Sequence, residues 1–453
     1  MAFPPPPPQP QHSRGRAWKW WTAGAVFVLV AALVVGGVYW LHSSSPGERP
    51  ADQLEKSYPT APVAGWTLRA ADLRTGGVFR ALNMAGNQYY APGFIDLGDI
   101  LVTSVSDGMQ SGTKPRGPRE LIGVDSKTGE LRWRTPLEGS LNCATEAIDG
   151  LLACTGNNTI QTFRISNGER VQSVPANGIG VVEAHAGALY SYGYDHEAGT
   201  LVLSRGTVTD PKSDWRTEFQ RPTETCVGSG DSMEFRVEDG IVYFSNGLAS
   251  AAASAADGRN LLPANVGWIK VLPGQGYSGN ECRDGGPSRS VVVVDHNGVV
   301  VRTVDADYGP RLLALMPDPD RPVALGKDVI NLRSGKRLWS IGADSRFELM
   351  VGKVVLVRSV DERGTAGTRV SAHSLDTGEL LWTANLPKST YSALTDGERL
   401  IIPDSYTSDT SRVVAVNLTS GDIDWTARMG NPAKARDGMA SMTPQELTYY
   451  PPP

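Results

Sequence analysis

From about residue 66 onward, apolar residues come in short runs. Some alternate with polar residues and some are continuous, and turn-forming pairs separate them. Clear strands are predicted at "DILVTSV" (99–105), "GLLACTG" (150–156), "GALYSYG" (187–193), "GIVYFSNG" (240–247), "SVVVVDHNG" (290–298), "KVVLVRSV" (353–360) and "RLIIPDS" (399–405). No stretch carries a long helical period. "GLASAAASAADG" (247–258) is Ala-rich but interrupted, and reads as at most a short helix in a connection. The runs recur with turn glycines at Gly76, Gly129, Gly168, Gly206, Gly258, Gly298, Gly335, Gly378 and Gly421. A period of roughly 40–50 residues with about four short strands per unit is the pattern of a β-propeller. Taking the Gly76 and Gly421 segments as two parts of one blade, the spacing predicts an all-β, eight-bladed propeller, with seven blades as the fallback.

A short string marks four of the units: "SKTGELRW" (126–133), "RSGKRLW" (333–339), "DTGELLW" (376–382) and "TSGDIDW" (419–425). In each a glycine precedes a tryptophan by four residues: Gly129 and Trp133, Gly335 and Trp339, Gly378 and Trp382, Gly421 and Trp425. Four residues before each glycine stands Asp125, Asn331, Ser374 or Asn417, whose side chain can accept from nearby backbone N–H groups and start a tight turn. The glycine supplies the positive φ of that turn. The tryptophan is large enough to fill the wedge between neighbouring blades, and its buried indole N–H needs an acceptor. The string therefore reads as structure rather than chemistry.

The N-terminal region differs. Residues 20–41 contain no charge, are bracketed by Trp20 and Trp21 at one end and Tyr39 and Trp40 at the other, and follow Arg14, Arg16 and Lys19. This is the pattern of one transmembrane helix with its N-terminus in the cytoplasm and the propeller outside the cell membrane. The expected organisation is a Pro-rich cytoplasmic tail (1–19), the helix (20–41), a linker (42–65), the propeller (66–430) and a C-terminal tail (431–453). A net charge of −5 without a Lys/Arg stripe gives no reason to expect nucleic acid. The four cysteines, Cys143, Cys154, Cys226 and Cys282, are even in number and lie beyond the membrane segment, which favours two disulfides over free thiols. Four cysteines allow three pairings. "CATEAIDGLLAC" (143–154) reads as a hairpin, which makes Cys143–Cys154 the first choice and leaves Cys226–Cys282 by elimination.

The runs "GVDSKTGELRW" (123–133), "VINLRSGKRLW" (329–339), "AHSLDTGELLW" (372–382) and "AVNLTSGDIDW" (415–425) resemble the pyrroloquinoline-quinone (PQQ) repeat. The resemblance implies an eight-bladed propeller over about 66–430 and two functional branches. One is the quinoprotein dehydrogenases. The other is a set of non-enzymatic propellers similar to the scaffold lipoprotein of the outer-membrane β-barrel assembly machine. The dehydrogenase branch implies a disulfide between adjacent cysteines over the quinone and a Ca²⁺ site of carboxylate and Asn oxygens. This chain has no adjacent cysteines and no matching metal segment. The expectation is therefore a non-catalytic scaffold with no cofactor, no metal and no catalytic residue, binding a protein of the envelope or membrane. A PQQ-dependent oxidoreductase is the alternative. "GQGYSG" (274–279) and the run Asp195, His196, Glu197 read as loops. The region from about 206 to 290, with Cys226, Cys282 and "DSMEFRVEDG", reads as a long insertion that could form a binding surface.

Overall fold

The computed structural model describes residues 52–453 except 83–91, 109–118, 196, 221–233, 247–248, 284–285, 306–310, 314, 361–365, 388–392 and 405–410. The predicted N-terminal tail, the membrane helix and the first part of the linker, residues 42–51, fall outside these residues. Among the described residues no helix is long and apolar enough to cross a membrane.

The described strands form nine antiparallel sheets, taken in chain order as blades 1 to 9. Blade 1 spans residues 77–137, blade 2 142–175, blade 3 179–220, blade 4 234–254, blade 5 266–305, blade 6 323–340, blade 7 345–385 and blade 8 394–429. Blade 9 is made of Pro432–Ala435, Gly438–Met442 and Glu446–Tyr450, completed by Trp66–Arg69 from the other end of the domain. In that pairing Trp66 lies opposite Tyr449 and Arg69 opposite Glu446. The link between blades 5 and 6 is of a different kind: Arg311–Leu313 runs parallel to the first strand of blade 7, Ser345–Val351.

The burial pattern explains the sequence pattern. Middle strands are covered on both faces by neighbouring sheets, so Ile100–Ser106 and Val291–Val294 are buried throughout and read as continuous apolar runs. Outer strands are covered on one face, and Leu131–Leu137 alternates. The buried residues divide into nine apolar clusters, each joining two consecutive sheets. Leu121, Trp133 and Leu152 lie between blades 1 and 2. Leu356, Trp382 and Ile402 lie between blades 7 and 8, and Ile401, Trp425 and Tyr450 between blades 8 and 9. The last cluster, with Ile122, Leu447 and Tyr449, joins blade 9 to blade 1 and closes the ring. A closed ring leaves no sheet face bare.

Three expectations are corrected. The propeller has nine blades, not eight or seven. The extra blade comes from residues 432–450, which the sequence marks with no Gly–Trp string and which reads as a tail. The region 206–290 is not an insertion; it holds blade 4 and most of blade 5. Within it Ala249–Ser254 is a strand, not a helical connection. Ala251, Ala252 and Ala253 are fully buried beside Phe235, Tyr243 and Phe244, and this packing overrides the helical preference of alanine. The linker is also shorter than read. Leu54 and Tyr58 are buried between blades 8 and 9, and Leu54 N–H donates to Thr395 O at 2.8 Å.

Candidate functional site

The recurring string accounts for most of the residues that stand out in the sequence. Asp125 accepts through Oδ1 from the N–H groups of Lys127 (2.9 Å) and Thr128 (2.8 Å). Asn331 accepts from Ser334 N–H at 2.8 Å, and Asn417 from Thr419 N–H at 2.9 Å. Gly129, Gly335, Gly378 and Gly421 all have positive φ, between 69° and 78°. The tryptophan of each string does not pack on its own glycine. Trp382 lies over Gly421 of the next blade, Trp339 over Gly378, and Trp133 over Gly168. The indole N–H of Trp133 donates to Ile165 O (2.7 Å), that of Trp339 to Leu375 O (2.9 Å) and that of Trp382 to Leu418 O (2.8 Å). Trp425 faces blade 9, which offers no such turn, and donates instead to Tyr58 O of the N-terminal arm at 2.7 Å.

Two further tryptophans do the same work and were not marked by the i, i+4 spacing. Trp66 lies over Gly129 and donates to Ser126 O at 3.1 Å; Trp215 lies over Gly258. Trp215 has no glycine four residues before it. The Gly206 expected to play that part ends a strand without positive φ. Arg302 stands four residues after Gly298, where other strings have tryptophan, and donates to Gly335 O at 3.0 Å. Cys143 and Cys154 face each other on paired strands of blade 2 and form a disulfide, both side chains buried. Cys226 and the side chain of Cys282 lie outside the described residues.

A group of charged side chains lies on the first strands of blades 3 and 4. Glu234, Arg236 and Glu238 alternate along the first strand of blade 4, which puts them on one face. Arg236 Nε is 3.0 Å from Glu234 Oε1, and Tyr243 donates to the same carboxylate at 3.1 Å. On blade 3, Glu183 is buried and accepts from Thr145 N–H (2.8 Å), Thr145 Oγ (2.5 Å) and Ala184 N–H (3.1 Å). Burial pushes its carboxyl up and these bonds oppose it. Glu238 is exposed, and desolvation by the surrounding strands pushes its carboxyl up; Arg236 opposes this, and Glu234, Asp52 and Asp239 add to it. At the adjoining turn Asp239 accepts from Gly274 N–H (2.7 Å) and sits 2.8 Å from His296 Nε2. "GQGYSG" is thus part of a hairpin between two strands of blade 5, not a strand-to-helix turn. Asp195 accepts from Glu197 and Ala198 N–H, and closes its own turn.

A cleft of about 380 Å³ opens between blades 2 and 3, lined by Ser140, Asn142, Thr155, Asn157, Asn158 and Thr159 among others. It presents amides and hydroxyls and no charged side chain. These residues do not fit a quinone bearing several carboxylates together with Ca²⁺. Such a group needs cationic and carboxylate partners, and among the described residues no three His, Cys, Asp or Glu converge on a metal position. The described disulfide is buried between blades 1 and 2 and joins residues eleven apart.

Nine sheets of three to five strands, joined in this way, make the chain a β-propeller whose recurring string is similar to the PQQ repeat. It resembles BamB: a family model described as outer membrane protein assembly factor BamB matches residues 327–448. Among solved structures, BamB from Moraxella catarrhalis is 11% identical, with 86% of this chain and 98% of that chain covered and a TM-score of 0.44. The quinohemoprotein alcohol dehydrogenase of Comamonas testosteroni is 11% identical, with 86% and 78% covered and a TM-score of 0.42. A eukaryotic initiation factor is 10% identical, with 80% and 81% covered and a TM-score of 0.42. No curated protein matches the chain.

Proposed function

We propose that the chain is a membrane-anchored propeller outside the cytoplasm that binds a protein of the cell envelope and catalyses no reaction. The observation that carries this reading is where the repeat's chemistry goes. The recurring Asp, Asn, Gly and Trp residues are engaged in turns and in blade-to-blade pegs, and the inner-strand charges of blade 4 are engaged with one another. A rigid ring built this way presents loops to a partner rather than a reactive group. The family model over residues 327–448 carries the description of an assembly factor, which supports the same class of role. In this reading residues 20–41 anchor the chain, with residues 1–19 in the cytoplasm.

Crosslinking in cells followed by mass spectrometry tests it. The expected outcome is repeated crosslinks from the propeller to one envelope protein. The full chain mixed with PQQ and Ca²⁺ supplies the opposing test. Stoichiometric binding together with dye-linked oxidation of an alcohol or sugar would overturn the scaffold reading in favour of an oxidoreductase.

A further inference from the structure

Among the described residues three arginines are at least nine-tenths buried: Arg119, Arg358 and Arg399, at 7%, 0% and 8% exposure. Two of them have carboxylate company. Arg399 meets Asp424 at 2.6 Å, Glu398 at 2.8 Å and Asp396 at 3.3 Å, and Arg358 meets Glu348 at 3.3 Å. Arg119 differs. Its Nε donates to Ser104 Oγ at 2.8 Å and its Nη2 to Ala81 O at 3.0 Å, both neutral acceptors. The charge beside it is a second guanidinium, Arg80. Arg80 donates through Nε to Ser106 Oγ at 3.3 Å, and its Nη2 is buried without a hydrogen-bond partner.

Strand register explains the grouping. Arg80 lies opposite Ser104, and Ser106 opposite Arg119, so all four side chains share one face of blade 1. The nearby carboxylates are committed elsewhere: Asp107 and Glu120 pair with Arg74, and Glu120 also with Arg134. Glu120 sits opposite Val105, on the other face. The neighbouring stretches of sequence offer no counter-charge either. Residues 83–91 and 109–118 contain no Asp or Glu, and the second contains Lys114 and Arg116. Burial lowers the affinity of both guanidinium groups for their protons, bringing Arg119 down to about 10 with the charge of Arg80 adding to the effect. A buried guanidinium beside a half-buried one, with no carboxylate paired to either among the described residues, is costly to keep in a fold.

We propose that Arg80, Arg119, Ser104 and Ser106 form a binding site for a phosphate-type oxyanion. The guanidinium forks supply directional N–H donors for a tetrahedral anion, and a dianion matches the two positive charges; Ser104 and Ser106, whose own hydroxyls donate to Arg80 O and Asp107 O at 3.1 Å, hold the guanidinium groups in place. Arg80 is partly exposed, which leaves the pair reachable from solvent. The site is independent of whether the ring is a scaffold.

The test is thermal unfolding of the purified full chain in chloride buffer, with inorganic phosphate titrated at constant ionic strength. The expected result is a saturable rise in Tm for the unaltered protein. Arg80→Met is expected to abolish that rise and, having removed an uncompensated charge, to raise Tm in chloride alone. Ser106→Ala, a mild change, is expected to weaken the phosphate response several-fold and decides the matter if Arg80→Met does not fold. A stronger response to glycerol 3-phosphate than to phosphate assigns the anion to an esterified headgroup; an equal or weaker one assigns it to a free oxyanion. No response of the unaltered protein beyond that to chloride overturns the proposal. So does a full phosphate response in Arg80→Met or Ser106→Ala.

Discussion

Trp382 and Gly421 belong to different strings, yet the structure makes them one contact, and this can be measured. Trp382 is 7% exposed, its N–H donates to Leu418 O at 2.8 Å, and it packs among Leu356, Ile402 and Val416. A buried tryptophan removes roughly 200 Å² from water, about 5 kcal/mol at ~25 cal/mol per Å². Large core truncations to alanine fall near 3–5 kcal/mol, so Trp382→Ala should lose about 4 kcal/mol. Gly421→Ala has two costs. Its φ of +78° charges a side chain about 1–2 kcal/mol, and the new methyl would stand 2.6 Å from Trp382 Cδ2. Overpacking of this kind adds about 1–3 kcal/mol. Gly397→Ala is the control: its φ is +91° but nothing lies within 4 Å, so only the first cost applies. In the double variant Trp382→Ala, Gly421→Ala the methyl no longer meets an indole. The double loss should then fall short of the sum of the single losses by about 1–2 kcal/mol. Urea unfolding followed by circular dichroism, with unchanged m-values, reads all four variants. Losses that add to within about 0.5 kcal/mol would refute the peg, as would an unchanged midpoint for Trp382→Ala.

The remaining predictions address closure, the disulfide and pH. Ending the chain at residue 430 removes three strands of blade 9 and bares the clusters on both sides of it, so the truncated chain should lose its cooperative thermal transition; a Tm within a few degrees of the full chain would contradict the ninth blade. Replacing Cys143 and Cys154 together by serine should cost about 3 kcal/mol, the loop-entropy value for so short a loop; non-reducing peptide mapping that found both as free thiols would remove the bond outright. His296 is held protonated to higher pH than an ordinary imidazole, first by its hydrogen bond to Asp239. Its folded pKa is raised, so its contribution to stability is complete below about pH 6.5 and fades as pH rises through the folded value. The side chain is 41% exposed, and solvent screening keeps the effect below about 1 kcal/mol. Asp239→Asn should flatten the fall in Tm between pH 6 and 8, and an equal slope in both proteins would show that the pair does not contribute.

The repeat, the strands and the turn chemistry were legible because each is local. Asp125 meets Lys127 and Thr128, and Gly129 needs its φ whatever lies beyond the turn. The peg contact is not local. Trp133 meets Gly168 and Trp382 meets Gly421, so the spacing of four that draws the eye links residues that do not touch. Trp215 was missed because its string lacks the glycine, and Arg302 because another side chain makes the donor contact to the next turn. The alanine-rich strand of blade 4 was misread for a related reason. Its small side chains are explained only by the aromatic residues of neighbouring strands, which no window of sequence contains. In "DSMEFRVEDG" the alternation of Glu234, Arg236 and Glu238 reads as a solvent-facing side of a strand, and Arg236 and Glu238 are indeed exposed; the company of Glu183 from blade 3 is not legible in any one window.

The ninth blade shows why counting strings undercounts blades. A string marks a blade only when the last hairpin of that blade is continuous in sequence. Blade 9 takes its outer strand from Trp66–Arg69 and its other three from residues 432–450, so its tryptophan and its inner strands stand at opposite ends of the domain. Trp66 nonetheless performs the same contact on Gly129 as the others do one blade further on. On the other side, Trp425 finds no turn glycine, because the hairpin that would supply it is the one cut by the chain ends. The backbone of Tyr58 fills that place, and Tyr58 Oη in turn donates to Tyr450 O at 2.8 Å. The segment read as a linker is therefore the substitute for a missing turn. A propeller that exchanges strands between its two ends needs such a substitute at its seam, because the indole N–H there would otherwise be buried without an acceptor.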